Sequence, residues 1–379
     1  MTRKLYYENA YTEQFFANVI SCDSCEGGYE AILDKTAFFP EGGGQSSDTG
    51  FLGEAQVISV READGIVYHK ITAPISGEVL GRINFKERFD KMQNHTAEHI
   101  LLGFIHKLYG LDNVGFHLGN DQVVFDISEP LTPEQLKTAE DMANAAVWQN
   151  IPVEVIFPEA EELSSLGYRS KLELTENVRL VKIGDVDLCA CCAPHVSYTG
   201  EVGMIKILDV MRHRGGMRIW LAAGERALAD YRMNKENIAA VSWALSVPKE
   251  ETAEALKRYM KEADAIRSEL KSARRALAEA KAQTIKKTEG NLVVHLPDMG
   301  ADELRAFVNC ALPKVSGMLV ALSGGEGDYK YIIASENVNI AEKIKDINTS
   351  LSGRGGGKPN AAQGSFAANL CEIKKYFEA

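Results

Sequence analysis

Residues Thr36-Ala37-Phe38-Phe39-Pro40-Glu41-Gly42-Gly43-Gly44-Gln45-Ser46-Ser47-Asp48-Thr49-Gly50 set the architecture of everything before and after them. Three consecutive glycines sit poorly inside a helix or a strand, because each gives up the most backbone freedom on folding and brings no side chain to pack. They predict a loop whose bare backbone another chain can approach closely. The neighbouring segments are β in character: Val57-Ile58-Ser59-Val60 and Ile66-Val67-Tyr68-His69 are short β-branched runs bounded by Gly, Asp and Glu. Residues 1–86 are therefore expected to form a β-barrel-like domain with a glycine-rich loop. Cys22-Asp23-Ser24-Cys25 falls at an expected strand–strand turn in it. No second CxxC or His pair lies near it, so a hairpin with incidental thiols is the default reading over a redox or metal role.

Further along, the period changes. Ala97, Leu101, Phe104, Ile105 and Leu108 make a 3.6-residue apolar stripe, which predicts a helix from about Phe89 to Leu108 with Gly110 as its stop. A second helix is expected from Thr132 to Asn150, with Pro133 in its first turn and Ile151-Pro152 ending it. Strands at 178–183 and 203–208 flank a cysteine cluster. Helix, strand and loop alternate here without a regular βαβ pattern, so 87–225 reads as α+β, and so does the chain as a whole. From Leu256, apolar residues step alternately by three and four through Tyr259, Ala263, Ile266, Leu270, Ala273, Leu277 and Ala280. That heptad seam predicts a helical, coiled-coil-like arm over 226–290. The plain reading is a long solvated helix packing along one face; the sharper one is an arm that pairs with a second helix or a second subunit. Residues 291–379 read as a small α/β domain with strands at Leu292–His295 and Tyr329–Ile333 and a second glycine-rich loop from Gly353 to Asn360.

Composition narrows the function classes. A chain of 379 residues, 45% hydrophobic and 25% charged, has the make-up of a soluble globular protein of two or three domains. No apolar run reaches the roughly 18 residues of a membrane span, and the N-terminus lacks a secretory signal, so a cytoplasmic location and no membrane partner are expected. A net charge of −11 argues against broad affinity for nucleic acid, though not against a local basic surface. Seven cysteines fit no disulfide framework, and three of them, Cys189, Cys191 and Cys192, fall together. That clustering points to a metal or a reactive thiol.

His95-Thr96-Ala97-Glu98-His99 places two imidazoles at i and i+4 on one helical face, where both reach one ion. Cys191-Cys192-Ala193-Pro194-His195 supplies a thiolate and another imidazole on a stretch that Pro194 makes a loop. His95, His99, Cys191 and His195 together are a candidate Zn2+ site of nitrogen and sulfur ligands, with Cys189 competing for the thiolate position. Glu98 is a candidate general base, and His106, two turns beyond His99, reads either as a helix-surface histidine or, more sharply, as a catalytic candidate lining a pocket beside the ion. Met211-Arg212-His213-Arg214-Gly215-Gly216-Met217-Arg218 concentrates Arg212, Arg214 and Arg218 beside a turn, a group able to grip phosphate as well as a plain solvated turn.

Three sets of these residues resemble a known family: Phe38-Phe39-Pro40-Glu41-Gly42-Gly43-Gly44-Gln45 with Asp48 and Gly50; the HxxxH of His95 and His99; and the CxxxH of Cys191 and His195, followed by Thr199-Gly200-Glu201-Val202-Gly203. Over about residues 1–225 the chain is similar to the stand-alone alanyl-tRNA editing proteins, the AlaX family, and to the editing domain of alanyl-tRNA synthetase. Gly353 to Pro359 and Ala362-Gln363-Gly364 resemble the C-terminal domain shared by that synthetase and DHH-type phosphoesterases, which implies a long-form member. The chain departs from the family at Cys192-Ala193-Pro194, where members often carry Gly-Gly-Thr. The resemblance implies a zinc-dependent hydrolase that removes serine, and glycine as a second substrate, from mischarged tRNA for alanine. It further implies Thr36, Gly43, Gly44, Gln45 and His117 as substrate-contacting residues and tRNA for alanine as partner; the arm and the C-terminal domain are candidate surfaces for a homodimer, and the C-terminal domain equally for the tRNA body. With four protein ligands the zinc site would be closed, so catalysis would need an open position or expansion to five. Two rivals stand beside this reading. His95 to His99 also spells HxxEH, a zinc metallopeptidase pattern with Glu98 as base. A zinc-stabilised module that binds tRNA without cleaving it is the other.

Overall fold

Period-two alternation builds the first part of the protein. In Ala55–Ala63 the buried positions are Ala55, Val57 and Val60, and in Gln14–Cys25 they are Phe15 and Ala17. Six strands join in the order Gln14–Cys25, Gly28–Leu33, Ile66–Ile71, Ala55–Ala63, Gly50–Leu52 and Glu78–Ile83, and the last pairs back with the first to close a barrel. Its core holds Phe15, Leu33, Phe38, Leu52, Val57, Val67 and Ile71. The structure is a computed structural model that describes residues 1–120, 122–163, 166–170 and 178–378. Contacts divide the chain into two units, 1–238 and 239–379. Among the described residues, no helix is long and apolar enough to cross a membrane.

A histidine sits inside the barrel. His69 is fully buried, with Nδ1 donating to the Ala31 carbonyl at 3.2 Å and Nε2 accepting from Thr36 Oγ1 at 2.8 Å. Burial pushes its pKa down to about 4, against the Ala31 bond that favours the charged ring. In the unfolded chain the same ring titrates near 6.5. As pH falls from about 6.5 towards 4, the unfolded state binds a proton that the folded state refuses. Stability is therefore present above 6.5 and lost by up to about 1.4 kcal/mol per pH unit on the way down. His69→Gln is expected to flatten that stretch of a plot of Tm against pH; an unchanged slope contradicts the assignment.

The Gly42–Gln45 run is a tight turn closed by backbone bonds in both directions between Gly42 and Gln45, with Gly43 and Gly44 at φ of 61° and 86°. A Cβ on Gly44 would lie 2.5 Å from the Phe116 carbonyl oxygen. The chain that approaches this bare backbone is the protein's own strand Asn113–Leu118, through Leu118 N to Gly44 O at 2.8 Å and Ser46 N to Leu118 O at 3.1 Å.

The first long helix runs Phe85–Tyr109, a turn earlier than its apolar stripe suggests, with Phe85 and Phe89 packed at its start and Gly110 in the left-handed conformation at its end. Every residue from Asn94 to Ile105 is buried, polar ones included, so this is a core helix and not a surface one. Helix Pro133–Trp148 packs on it, started by a capping box between Thr132 and Gln135. Around them stand a four-stranded antiparallel sheet, Ile205–His213, Gly216–Ala223, Val123–Ile127 and Asn113–Leu118 in that order, and a three-stranded one of Val153–Ile156, Leu180–Ile183 and Asp187–Ala190. Met92, Leu101, Ile105, Phe125, Leu136, Ile219 and Leu221 share one core. The helix Gly224–Leu245 follows.

In the second unit, helix Thr252–Gln283 buries Ala278 and Ala282 against Leu304, Phe307 and Ala311, while Leu256, Tyr259, Ile266, Leu270 and Leu277 of the heptad seam remain exposed. A five-stranded sheet follows, in the order Leu292–His295, Leu319–Ser323, Tyr329–Ala334, Ala361–Phe366 and Gly353–Lys358. The second glycine run, expected as a loop, is thus an edge strand. A Cβ at Gly355 would meet the Tyr331 hydroxyl at 2.4 Å and one at Gly357 the Ala361 carbonyl oxygen at 2.2 Å. Close approach, not loop flexibility, is what calls for glycine there.

Candidate metal centre

The buried helix and the 191–195 loop bring four side chains together. The ligand atoms of His95, His99, Cys191 and His195 all lie within 4.8 Å of one another. Cys191 Sγ is 3.6 Å from His95 Nε2 and 3.3 Å from His195 Nε2. The ring of His195 lies 4.8 Å from that of His95 and 4.7 Å from that of His99. The loop is shaped by Ala193 N donating to Cys191 Sγ at 3.5 Å. Cys192 turns the other way: its Sγ lies 3.3 Å from where a Gly43 Cβ would stand.

Each imidazole is fixed by its outer nitrogen. His95 Nδ1 donates to Gln45 Oε1 at 2.8 Å, His99 Nδ1 to Asp187 Oδ2 at 2.9 Å, and His195 Nδ1 to Thr96 Oγ1 at 3.0 Å. The Thr96 hydroxyl proton is spent on the Met92 carbonyl at 2.8 Å, so its oxygen can only accept. These bonds place the protons on Nδ1 and leave three Nε2 lone pairs for the centre. Asp187 is itself gripped by Arg169, from Nε at 2.7 Å and Nη2 at 2.8 Å. Separations of 3.3 and 3.6 Å between ligand atoms are those of neighbours around one tetrahedral ion with bonds of about 2.0–2.3 Å. The donor set fits a borderline-soft divalent cation.

Electrostatics choose between the cysteines. Burial pushes the Cys191 thiol up, but the His95 and His195 imidazoles beside it outweigh burial and hold it well below the usual thiol range. Burial pushes Cys189 to about 11 and keeps it a thiol. His99, Asp187 and Cys189 form a second group with ligand-like spacing, yet Asp187 is already committed to His99 Nδ1 and Arg169. Burial pushes both His195 and His99 down; His195 falls to about 3, whereas Cys189, Asp187 and Cys191 around His99 raise it above the usual imidazole range. Asp187→Asn is expected to weaken metal binding by about 10- to 100-fold, read by competition with a chromophoric chelator. Unchanged affinity removes Asp187 from the site.

A cleft of about 1250 Å³ opens on His95, His99 and Cys191. Glu98 and Gly43 line it; Glu98 is buried and accepts from Asn113 Nδ2 at 2.6 Å. His106 also lines it, exposed, with Nδ1 2.9 Å from Asp112 Oδ1. Other expected site residues lie elsewhere. Thr36 is inside the barrel on His69, Gly44 is packed on Phe116, and Gln45 faces His95. His117 is exposed on its strand and does not line the cleft. Arg212, Arg214 and Arg218 are also outside the lining, because the basic run is a β-hairpin: Arg214 takes φ 48° at the turn, and the register sets Arg218 opposite Asp126, which it grips at 2.8 and 2.9 Å. Sequence reasoning missed Thr96, Asp187 and Arg169 as supports of the imidazoles.

Two family descriptions match the chain: "Threonyl and Alanyl tRNA synthetase second additional domain" over residues 178–219 and "DHHA1 domain" over residues 289–379. The first span includes Cys191 and His195. The alanine–tRNA ligase of Pyrococcus abyssi is 33% identical over 96% of this chain and 42% of its own length, and that of Halorubrum lacusprofundi is 32% identical with the same coverage. The chain therefore spans less than half the length of these ligases. The alanyl-tRNA editing protein AlaX-L of Pyrococcus horikoshii is 28% identical over 98% of this chain and 96% of its own. Among solved structures, the C-Ala domain of Aquifex aeolicus alanyl-tRNA synthetase is similar to 23% of this chain and 85% of its own, at 22% identity and a TM-score of 0.20.

Proposed function

The chain belongs to the alanyl-tRNA editing family, and from that premise we propose that it deacylates mischarged tRNA for alanine in trans, seryl-tRNA first and glycyl-tRNA second, with zinc held by His95, His99, Cys191 and His195. One observation supports the reading above the rest: three imidazoles have their outer nitrogens tied to Gln45, Asp187 and Thr96 and their inner ones turned to one thiolate at a cleft. When bound, zinc supplies Lewis acidity, polarising an ester carbonyl or lowering the pKa of water towards about 7.

The chain's own groups do the rest. Glu98, buried in the cleft and steered by Asn113, takes the proton of the attacking water and returns it to the departing ribose oxygen. His106, at the rim beside Asp112, offers a ring nitrogen to the hydroxyl that distinguishes serine from alanine. Gly43 gives bare backbone to the terminal nucleotide. Arg212 and Arg214, exposed on their hairpin, contact the tRNA body instead of the ester. The C-terminal domain is the proposed second hold on tRNA, and a cytoplasmic location follows from that partner.

The metallopeptidase reading wants a carboxylate as third ligand. Asp187, the carboxylate nearest in role, spends its oxygens on His99 Nδ1 and Arg169, which favours the Cys191 and His195 set. The test is release of labelled amino acid from seryl- and alanyl-tRNA for alanine by wild type and His99→Ala. Selective seryl release that the substitution abolishes is expected. Equal cleavage of both substrates, an unaffected variant, or tight binding with no release counts against the proposal.

A further inference from the structure

The cleft wall next to Cys191 carries a cation that no carboxylate of the described residues pairs with. Arg179 lines the cleft and is partly buried; its Nη1 donates to the Cys191 carbonyl at 2.6 Å, and its guanidinium lies 5.2 Å from the centre of the Tyr7 ring. Its Nε is buried without a hydrogen-bond partner among the described residues. The other cations of the lining are placed differently. Lys4 holds Glu62 at 2.6 Å, Arg169 holds Asp187 at 2.7 Å, Lys182 lies 3.8 Å from Glu154, and Lys107 is exposed. No carboxylate pairs with Arg179 among the described residues.

A desolvated guanidinium without a paired carboxylate is costly, and an orphaned N–H adds to that cost. Both are relieved when an anion arrives. With Nη1 spent on the Cys191 carbonyl, the Nε–Nη2 edge remains, and its two parallel N–H groups match two oxygens of a phosphate. The proposed substrate carries its ester on the terminal ribose, and the anion nearest that ester is the phosphate on the 5′ oxygen of the same nucleoside. We infer that Arg179 seats the 5′-phosphate of the terminal nucleotide of the tRNA, so that one side chain fixes both the Cys191 loop and the distance from phosphate to ester. This rests on the deacylase reading. Arg179 is a substrate-binding residue here, and its effect belongs in affinity.

Binding of adenosine 5′-monophosphate and of adenosine to the zinc-loaded protein, compared by titration calorimetry, tests the inference. The phosphate is expected to tighten binding by about tenfold or more in wild type, the size of a charge-assisted pair of hydrogen bonds. Arg179→Gln, with zinc content checked, is expected to bring the two affinities within about twofold. Where that variant folds poorly or loses zinc, Arg179→Lys carries the comparison, with the advantage cut by about threefold or more because an ammonium cannot make the bidentate pair. A wild type in which the phosphate adds nothing, undetectable binding of both probes included, overturns the inference. So does a variant that keeps the full advantage. Seryl-tRNA deacylation by the same wild-type preparation is scored separately. Release without a phosphate advantage overturns only Arg179; a phosphate advantage without release overturns only the deacylase reading.

Discussion

Arg88→Met is expected to destabilise the first unit by about 3–5 kcal/mol, the range for removing one partner of a buried ion pair. Arg88 and Asp48 are both buried, and they bond side chain to side chain from Nε at 3.0 and 3.1 Å and again from Nη2. Arg88 also donates to the Ala10 carbonyl at 3.0 Å and the Ala37 carbonyl at 2.7 Å, and Asp48 accepts from Phe39 N at 2.6 Å. One guanidinium thus pins the glycine-loop segment of the barrel to the helix that carries His95 and His99. Methionine fills the space but strands the Asp48 carboxylate and two carbonyls. Urea unfolding followed by circular dichroism measures the loss. Arg88→Met with Asp48→Leu is expected to recover part of it, since an apolar pair leaves no buried charge. A loss below about 1 kcal/mol in the single variant contradicts the role assigned to the pair.

Cys191→Ala is expected to lower bound zinc from one equivalent per chain to a small residue and seryl-tRNA deacylation by at least about 10³-fold, which corresponds to roughly 4 kcal/mol of lost charge stabilisation. The same change at Cys189 or Cys192 is expected to leave zinc in place. Cys189 stays a buried thiol, and Cys192 faces Gly43. Elemental analysis after gel filtration separates the three. Zinc retained in full by Cys191→Ala contradicts the ligand set and returns weight to the peptidase pattern His95–His99.

How much of this was legible beforehand follows from what carries each contact. His95 and His99 share a helix face because helical geometry dictates it, and the chemistry of the Cys191–His195 pair made a common ion the expectation. The groups that hold those side chains left no local pattern. Gln45 and His95 are 50 residues apart, Asp187 and His99 are 88, Thr96 and His195 are 99, and Asp48 and Arg88 are 40. These are polar residues, which periodicity assigns to solvent, and they are buried because a distant partner satisfies them. Glycine runs proved ambiguous for a related reason. Phe116 packing on Gly44 and the Tyr331 hydroxyl against Gly355 make one run a turn and the other a strand, and neither neighbour is near in sequence. The arginines of the basic run read as a patch, but hairpin register gave Arg218 to Asp126.

The central claim is that a single ion on four side chains makes this cleft a deacylase. It is tested most directly by stripping the protein with a chelator, returning zinc in measured fractions, and following serine release from seryl-tRNA. The account predicts negligible release from the stripped protein and a linear rise that levels off at one zinc per chain. Full activity after stripping, or none at any zinc loading, would contradict it.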